Sequence, residues 1–151
     1  MTEPPRSREQ RIADTVRRLE KDVDAWVATA GEGGIPSLAP FSFLWDGAAL
    51  LFAMPANGPT ARNLLASGAV RLGLGHTRDV VLIEGTAQAI PAGEIAAETG
   101  DAFAVKTGFE PRELADPYLY FRIEPRRIRA WREVNELAGR DVMRGGMWLD
   151  S

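Results

Sequence analysis

A short run, Pro59-Thr60-Ala61-Arg62-Asn63, sets a hydroxyl, a guanidinium and a carboxamide at the opening of a helix. Asn57 or Gly58 reads as its N-cap and Pro59 as its first residue, with Leu64 and Leu65 facing the core and Gly68 closing it. The first N–H groups of a helix have no partner within it and carry the positive end of its dipole, so this opening favours an anion. Thr60 and Arg62 would each give a phosphate a charge-assisted hydrogen bond of about 1.5–3 kcal/mol. The same residues also read without a ligand, Thr60 as a capping hydroxyl and Arg62 as a solvated helix arginine.

A second polar group is His76-Thr77-Arg78-Asp79, a loop between two strands. Arg78 reads either as an anion ligand or as part of a turn, and His76 either as a loop residue near a ligand or as a surface turn residue. A serine triad built from Ser37 or Ser42 with His76 and Asp79 lacks the G-x-S-x-G elbow that exposes such a nucleophile. With no cysteine and one histidine, thiolate nucleophiles, disulfides and cysteine-ligated metals are out, and a two-histidine metal site would need two subunits. No acid–base pair stands out, so no catalytic residue is assigned and no metal is expected.

The chain has 151 residues, enough to bury about two thirds of its unfolded surface in one core. At 45% hydrophobic and 26% charged it has the composition of an ordinary globular protein. No run reaches the roughly 20 apolar residues that cross a bilayer, and the N-terminus lacks the apolar core of a signal peptide, so a cytoplasmic protein without a membrane partner is expected. The net charge of −3 is uneven: residues 24–121 hold 11 acids and 5 bases, residues 122–151 hold 7 arginines and 5 acids. That balance lacks the basic surplus of a nucleic-acid binder.

The elements that must position these groups follow from pattern. Ser7-Arg8-Glu9-Gln10 has the form of a capping box, and Ile12, Val16, Leu19 and Val23 then recur at helical spacing, giving an N-terminal helix within residues 1–23. A strand from Ala25, a turn at Glu32-Gly33-Gly34 and a strand from Ile35 to Trp45 come next. Pro36 and Pro40 imply that this second strand is an edge, bulged or bent. Asp46-Gly47 reads as a two-residue hairpin turn into a third strand that Pro55 ends. Val70, Leu72 and Leu74 alternate with Arg71, Gly73 and Gly75 in a fourth strand; a fifth starts at Val80, with Gly85 suggesting a bulge. Gly93 to Gly108 reads as helical, with Ile95, Ala102 and Phe103 inward. Tyr118 to Trp131, interrupted at Glu124-Pro125, makes the last strand, and 133–151 reads as an arm without a clear period. Trp26, Trp45 and Trp148 read as packing residues. Hairpin connections and small helices predict one α+β domain over 1–151, an antiparallel barrel with a few short peripheral helices.

The ordered series D-A-W-V-A-T-A-G-E-G-G-I-P-S-L-A-P-F-S-F-L-W-D-G, T-A-R-N-L, A-V-R-L-G-L-G, V-V-L-I-E-G-T-A and Y-F-R-I-E-P-R-R-I-R-A-W resembles the pyridoxamine 5′-phosphate oxidase-like proteins, the FMN-binding split barrels. The resemblance spans roughly residues 10–132. It implies an antiparallel split β-barrel that pairs as a homodimer and binds FMN or the deazaflavin F420, with a small organic substrate reduced or oxidised by hydride transfer. Relatives that hold a flavin, F420 or haem without turnover are the alternative. The ring is implied along Pro40, Phe41, Ser42, Ala53, Met54 and Pro55, the phosphate at Thr60, Arg62 and Asn63, and further contacts at His76, Arg78 and Trp131. Many relatives carry lysine where this chain has Thr60; Arg78 is the candidate to compensate. The wording T-A-R-N-L and H-T-R-D leans to F420.

Overall fold

The structure, a computed structural model, describes residues 3–150. Strands β1 (Asp24–Ala30), β2 (Pro36–Trp45), β3 (Leu50–Pro55), β4 (Ala69–Leu74), β5 (Val80–Pro91) and β6 (Tyr118–Trp131) pair antiparallel in the order β3-β2-β1-β4-β5-β6, and a β3–β6 pairing closes the ring. Two short strands, β7 (Asp141–Arg144) and β8 (Met147–Trp148), extend the sheet beyond β6. Three helices lie outside: α1 (Arg8–Lys21), α2 (Pro59–Ser67) and α3 (Ala97–Thr107). The expected antiparallel barrel with peripheral helices is what forms. Among the described residues no helix is long and apolar enough to cross a membrane.

Period-two alternation fills the barrel with Val27, Phe43, Phe52, Leu72, Ile83, Phe121 and Ile128, all essentially removed from solvent. The Phe43 and Phe52 rings meet at 5.7 Å in the middle. β3 is covered on both faces, which explains its unbroken L-L-F-A-M: Leu50, Phe52 and Met54 point inward, while Leu51 and Ala53 pack under α3 with Phe103 and Tyr120. Phe103 and Tyr120 stand edge to face at 5.5 Å. Lys106, also on α3, lies 4.1 Å from the Phe43 ring centroid and donates to the Leu19 carbonyl.

Several local expectations shift by a residue or a face. The β2–β3 turn has Gly47 and Ala48 at its centre rather than Asp46 and Gly47. The Asp46 N–H closes it on the Ala49 carbonyl, and the Asp46 carboxylate accepts from the N–H groups of Ala48 and Ala49. In α1 the cap bond from Gln10 N–H to Ser7 forms, but the Gln10 side chain turns to Asp14, so the capping box is half made. The buried stripe of α1 is Arg11, Thr15 and Leu19, and Val23 lies exposed past the helix end. Leu65 is exposed, and α3 begins only at Ala97, with Ala102 outward. Glu124-Pro125 does not interrupt β6: one extra residue, Arg126, is absorbed as a bulge opposite Glu84 and Gly85, where the sequence suggested one. A Cβ at Gly85 would sit 2.8 Å from Ile123 Cγ2 and 2.9 Å from the Glu124 carbonyl oxygen, so only glycine fits.

The C-terminal arm is ordered on its own chain. Val142 and Met143 enter the core, in strands too short for a period to be read. A charged clamp holds the arm to the N-terminus. Glu136, buried, accepts from Arg6 N–H, Arg6 Nε and Nη2, and Arg132 N–H at 2.8–3.0 Å. The Arg11 guanidinium reaches the carbonyls of Ala130, Glu136 and Gly139. These replace the water that a buried cation would otherwise lose. Hydrogen bonds from the Arg6 side chain, against the opposing effect of burial, push the Glu136 carboxyl down to about 2 from its ordinary 4.5.

Two predictions follow from this packing. Because the Glu136 pKa is depressed on folding, its stabilisation is complete above about pH 4.5 and drains away as pH falls toward 2. It amounts to roughly 3 kcal/mol. Urea unfolding across that range should show Glu136→Gln less stable at pH 7 by about 2–3 kcal/mol, with a flatter acid limb; an unchanged acid limb would refute the clamp. Gly85→Ala should cost roughly 1–3 kcal/mol. Gly93→Ala, with open space around its Cβ, should change thermal stability by about 0.5 kcal/mol or less.

Candidate functional site

The barrel parts between β2 and β3. Their register runs only over Phe43↔Phe52, Leu44↔Leu51 and Trp45↔Leu50, whereas β2 stays paired to β1 from Ser42 to Pro36 and β3 stays paired to β6 as far as Pro55. Phe43 N–H donates to Val23. By antiparallel alternation, the backbone groups of Pro36, Leu38, Pro40 and Ser42 therefore face the open side. Both prolines fall on that parity, so the donors they lack are ones that would have had no strand partner. The edge expectation for this strand is met, and its prolines are placed where they cost least.

Pro40, Ser42, Ala53 and Pro55 border this gap. Phe41 points into the barrel, half-buried against its core. Ser42 Oγ donates to Asp24 Oδ1 at 2.6 Å, so its hydroxyl is committed while its backbone is not. Met54 offers neither side chain nor backbone: the side chain is 1% exposed inside the barrel, and the strand's alternation, fixed by Ala56 N–H donating to Pro117, turns its backbone to β6. Ala53, with its side chain under α3, is the β3 residue where the strands part.

α2 begins where the gap ends. Gly58 is its N-cap and makes no side-chain cap bond, Pro59 takes the first position, and Gly68 closes the helix at φ 71°. The N–H groups of Thr60 and Ala61 are thus at a helix start with no side-chain cap bond, which is the arrangement an anion needs. Thr60 is 5% exposed, set with Ala61 and Leu64 against the barrel. Arg62 is exposed and makes no ion pair among the described residues. Asn63 is spent on position: its Nδ2 donates to Thr29 Oγ1 at 3.1 Å, and its Oδ1 lies over Gly31, where a Cβ would come within 2.6 Å. These residues fit a phosphate, with Arg62 as the cation and Asn63 as the fastener.

His76, Arg78 and Trp131 lie elsewhere. Ala25 pairs with Leu74 at one end of β4, and Gly68, at the end of α2, joins Ala87 at the other. Asn63 of α2 bonds Thr29 near that second end, so the His76 loop and this part of α2 lie toward opposite ends of β4, a strand about 17 Å long. Within one chain Arg78 is thus not brought beside Thr60. Its side chain is 86% exposed and its one ion pair among the described residues, to Glu133, is at 4.0 Å. Trp131, half-buried, is paired with Val80 and has the Arg140 guanidinium 5.7 Å from its ring. Asp79 fixes the loop through Arg18 at 3.6 Å and Arg132 at 3.3 Å.

A second feature went unread in the sequence. Trp26, a packing residue by sequence, stands 49% exposed on the outer face, beside Leu38 at 64%. With Gly73, Val80, Leu82, His76 and others they line an apolar groove of about 380 Å³. The glycines of A-V-R-L-G-L-G were its signal: Gly73 and Gly75, on the outward parity of β4, leave a trough between larger neighbours. Among the described residues no group of acids and histidine could hold a metal ion.

No curated protein matches the chain in sequence. Solved structures share its fold. An F420 reductase superposes with TM-score 0.60 at 21% identity, covering 74% of this chain and 93% of that one. A putative pyridoxamine 5′-phosphate oxidase from Listeria innocua gives 0.65 at 17%, covering 80% and 98%. HutZ, the haem storage protein from Vibrio cholerae, gives 0.57 at 16%, covering 75% and 88%. The sequence model of the pyridoxamine 5′-phosphate oxidase family matches residues 13–132. With most of its length matched, and with the closed antiparallel barrel that the resemblance implied, this chain belongs to the pyridoxamine 5′-phosphate oxidase family.

Proposed function

We propose that the chain binds F420 or FMN in the gap between β2 and β3 and, as a homodimer, serves the transfer of a hydride to or from a small organic substrate. The observation that carries this is the unpaired edge of residues 36–42 running toward an uncapped helix start. When bound, the ring supplies the redox chemistry. The chain's own part is to hold and orient. The open backbone of Pro40 and Ser42 meets a flat polar edge, the N–H groups of Thr60 and Ala61 with Arg62 meet the phosphate, and Asn63 fixes the helix that carries them. A relative named an F420 reductase supports F420.

A carrier role is the second reading. The gap contains no titratable pair, the Ser42 hydroxyl is tied to Asp24, and one structural relative is titled a haem storage protein. The outer face bears on assembly: Trp26, Leu38 and Ile35 are 49%, 64% and 73% exposed, and a second copy would cover apolar surface of this kind.

Titration of the protein with F420 and FMN should give binding well tighter than millimolar for one of them, and Arg62→Ala should weaken it about ten-fold. Millimolar binding of both would end the cofactor reading. Stopped-flow mixing of the reduced, loaded protein with quinones, nitro compounds and enones then separates the two roles: rapid oxidation supports the enzyme, and none across the panel supports the carrier. Sedimentation at micromolar concentration should show a dimer, and a stable monomer would refute the pairing.

A further inference from the structure

The outer face holds a cationic recess that the cofactor gap does not use. Leu82 of β5 lies opposite Arg129 of β6, and these two with Arg71, Leu72, Ile83 and Glu84 line a recess of about 410 Å³. Arg71, Leu72 and Leu82 also line the apolar groove beside Trp26, so groove and recess adjoin across these residues as two parts of a trough. The charges around it are unequally served. Glu84 takes Arg71, and Arg127 at 3.5 Å; Asp141 takes Arg127 at 3.0 Å and Arg144 at 2.8 Å. Arg129 is left over. Its side chain makes no ion pair or hydrogen bond among the described residues, and its Nε is closed off from solvent without an acceptor. With Nε shut in, the guanidinium meets its surroundings through its Nη groups, which have no partner among the described residues, and binding of an anion there would balance the charge.

We propose that this trough binds a flat apolar molecule bearing one carboxylate, its body between Trp26, Leu38 and Leu82 and its carboxylate on Arg129, with Arg71 alongside. The chemistry selects a carboxylate. The planar fork of arginine matches it with two parallel hydrogen bonds, and one unserved cation balances one negative charge, where a doubly charged phosphate would want more. The size and largely apolar lining suit a small molecule with a few fixed polar contacts. A second copy covering Trp26 and Leu38 would roof the trough, leaving Arg129 to the ligand. The inference rests on the cofactor reading only in making the bound molecule the substrate.

Calorimetric titration of the cofactor-free protein with 2-naphthoate and with 2-naphthamide, which has the same shape without the charge, tests it. The carboxylate should bind at least about ten-fold more tightly, and Arg129→Gln should abolish that preference. Arg129→Lys, which keeps the charge without the fork, should retain part of it, and reads the same question should the glutamine variant fold poorly. Trp26→Ala should weaken both ligands. Equal binding of acid and amide, or a preference that survives loss of Arg129, overturns the proposal. So does an Arg129→Gln protein that turns monomeric while binding naphthoate as before, since the arginine would then serve a second copy. These outcomes are separate from the F420 and FMN titrations: failure there with naphthoate binding intact would leave a ligand site that is not a substrate site.

Discussion

Backbone N–H and C=O groups need partners, and over most of its length β2 has them on one side only. The rest of the architecture is arranged around that deficit. β3 leaves β2 after Phe52 and gives its remaining length to β6, so the ring closes without the far half of β2. Closure through β3–β6 lets the core be complete, with Phe43 and Phe52 in contact, while seven residues of strand remain open. An exposed edge invites the pairing of another chain, and Pro36 and Pro40 blunt it by removing two of its outward donors. What remains is a polar strip, chiefly Leu38, Pro40 and Ser42 backbone, beside a helix start without a cap. Folding and the proposed ligand chemistry thus draw on the same unpaired groups.

The opposite end of the barrel is held by charge rather than by apolar packing. Arg6, Asp14, Glu136 and Arg132 form a connected set, and Asp79 joins it through Arg132 at 3.3 Å. Arg18 adds a second hold on Asp79. The loop carrying His76 and Thr77 closes one end of the outer groove, so its position depends on contacts made by the N-terminal segment and the C-terminal turn. This explains why residues far apart in sequence, Arg6 and Glu136, bear on a surface that neither touches. Such a clamp gains from several hydrogen bonds to a buried carboxylate what an exposed ion pair would not give.

What was legible in the sequence was local. The order of strands, the glycine bulge at Gly85, the helix from Pro59 to its Gly68 cap and the proline-marked edge are each written in a few neighbouring residues, and each formed. What was not legible depends on register across the sheet. Arg78 is the candidate to compensate for the lysine absent at Thr60, but the register of β1 and β4 sets its loop and the α2 residue Asn63 toward opposite ends of β4. Trp26 reads as core because large aromatics usually are; its parity in β1, set by pairing with Pro40 and Gly73, turns it outward. Arg11 sits on the polar side by hydropathy. Three backbone carbonyls, one near the end of β6 and two in the turn after it, 119 to 128 residues away, are what make it the buried side.

Position 60 shows how the two halves of the surface differ. The resemblance implies a lysine there, and the chain has a hydroxyl that is 5% exposed, on the turn of α2 that faces the barrel with Ala61 and Leu64. The cation of that turn, Arg62, points to solvent. An anion at the helix start would accordingly be held by two N–H groups and one exposed charge, contacts that salt screens. In the trough, by contrast, the unserved guanidinium is partly withdrawn from water beside Leu82, and an apolar wall lies next to it. Charge in a drier place acts at higher strength and admits fewer partners. On the proposed reading, discrimination between ligands then belongs to the trough and general phosphate affinity to the helix start, a division that follows from where the barrel exposes its arginines.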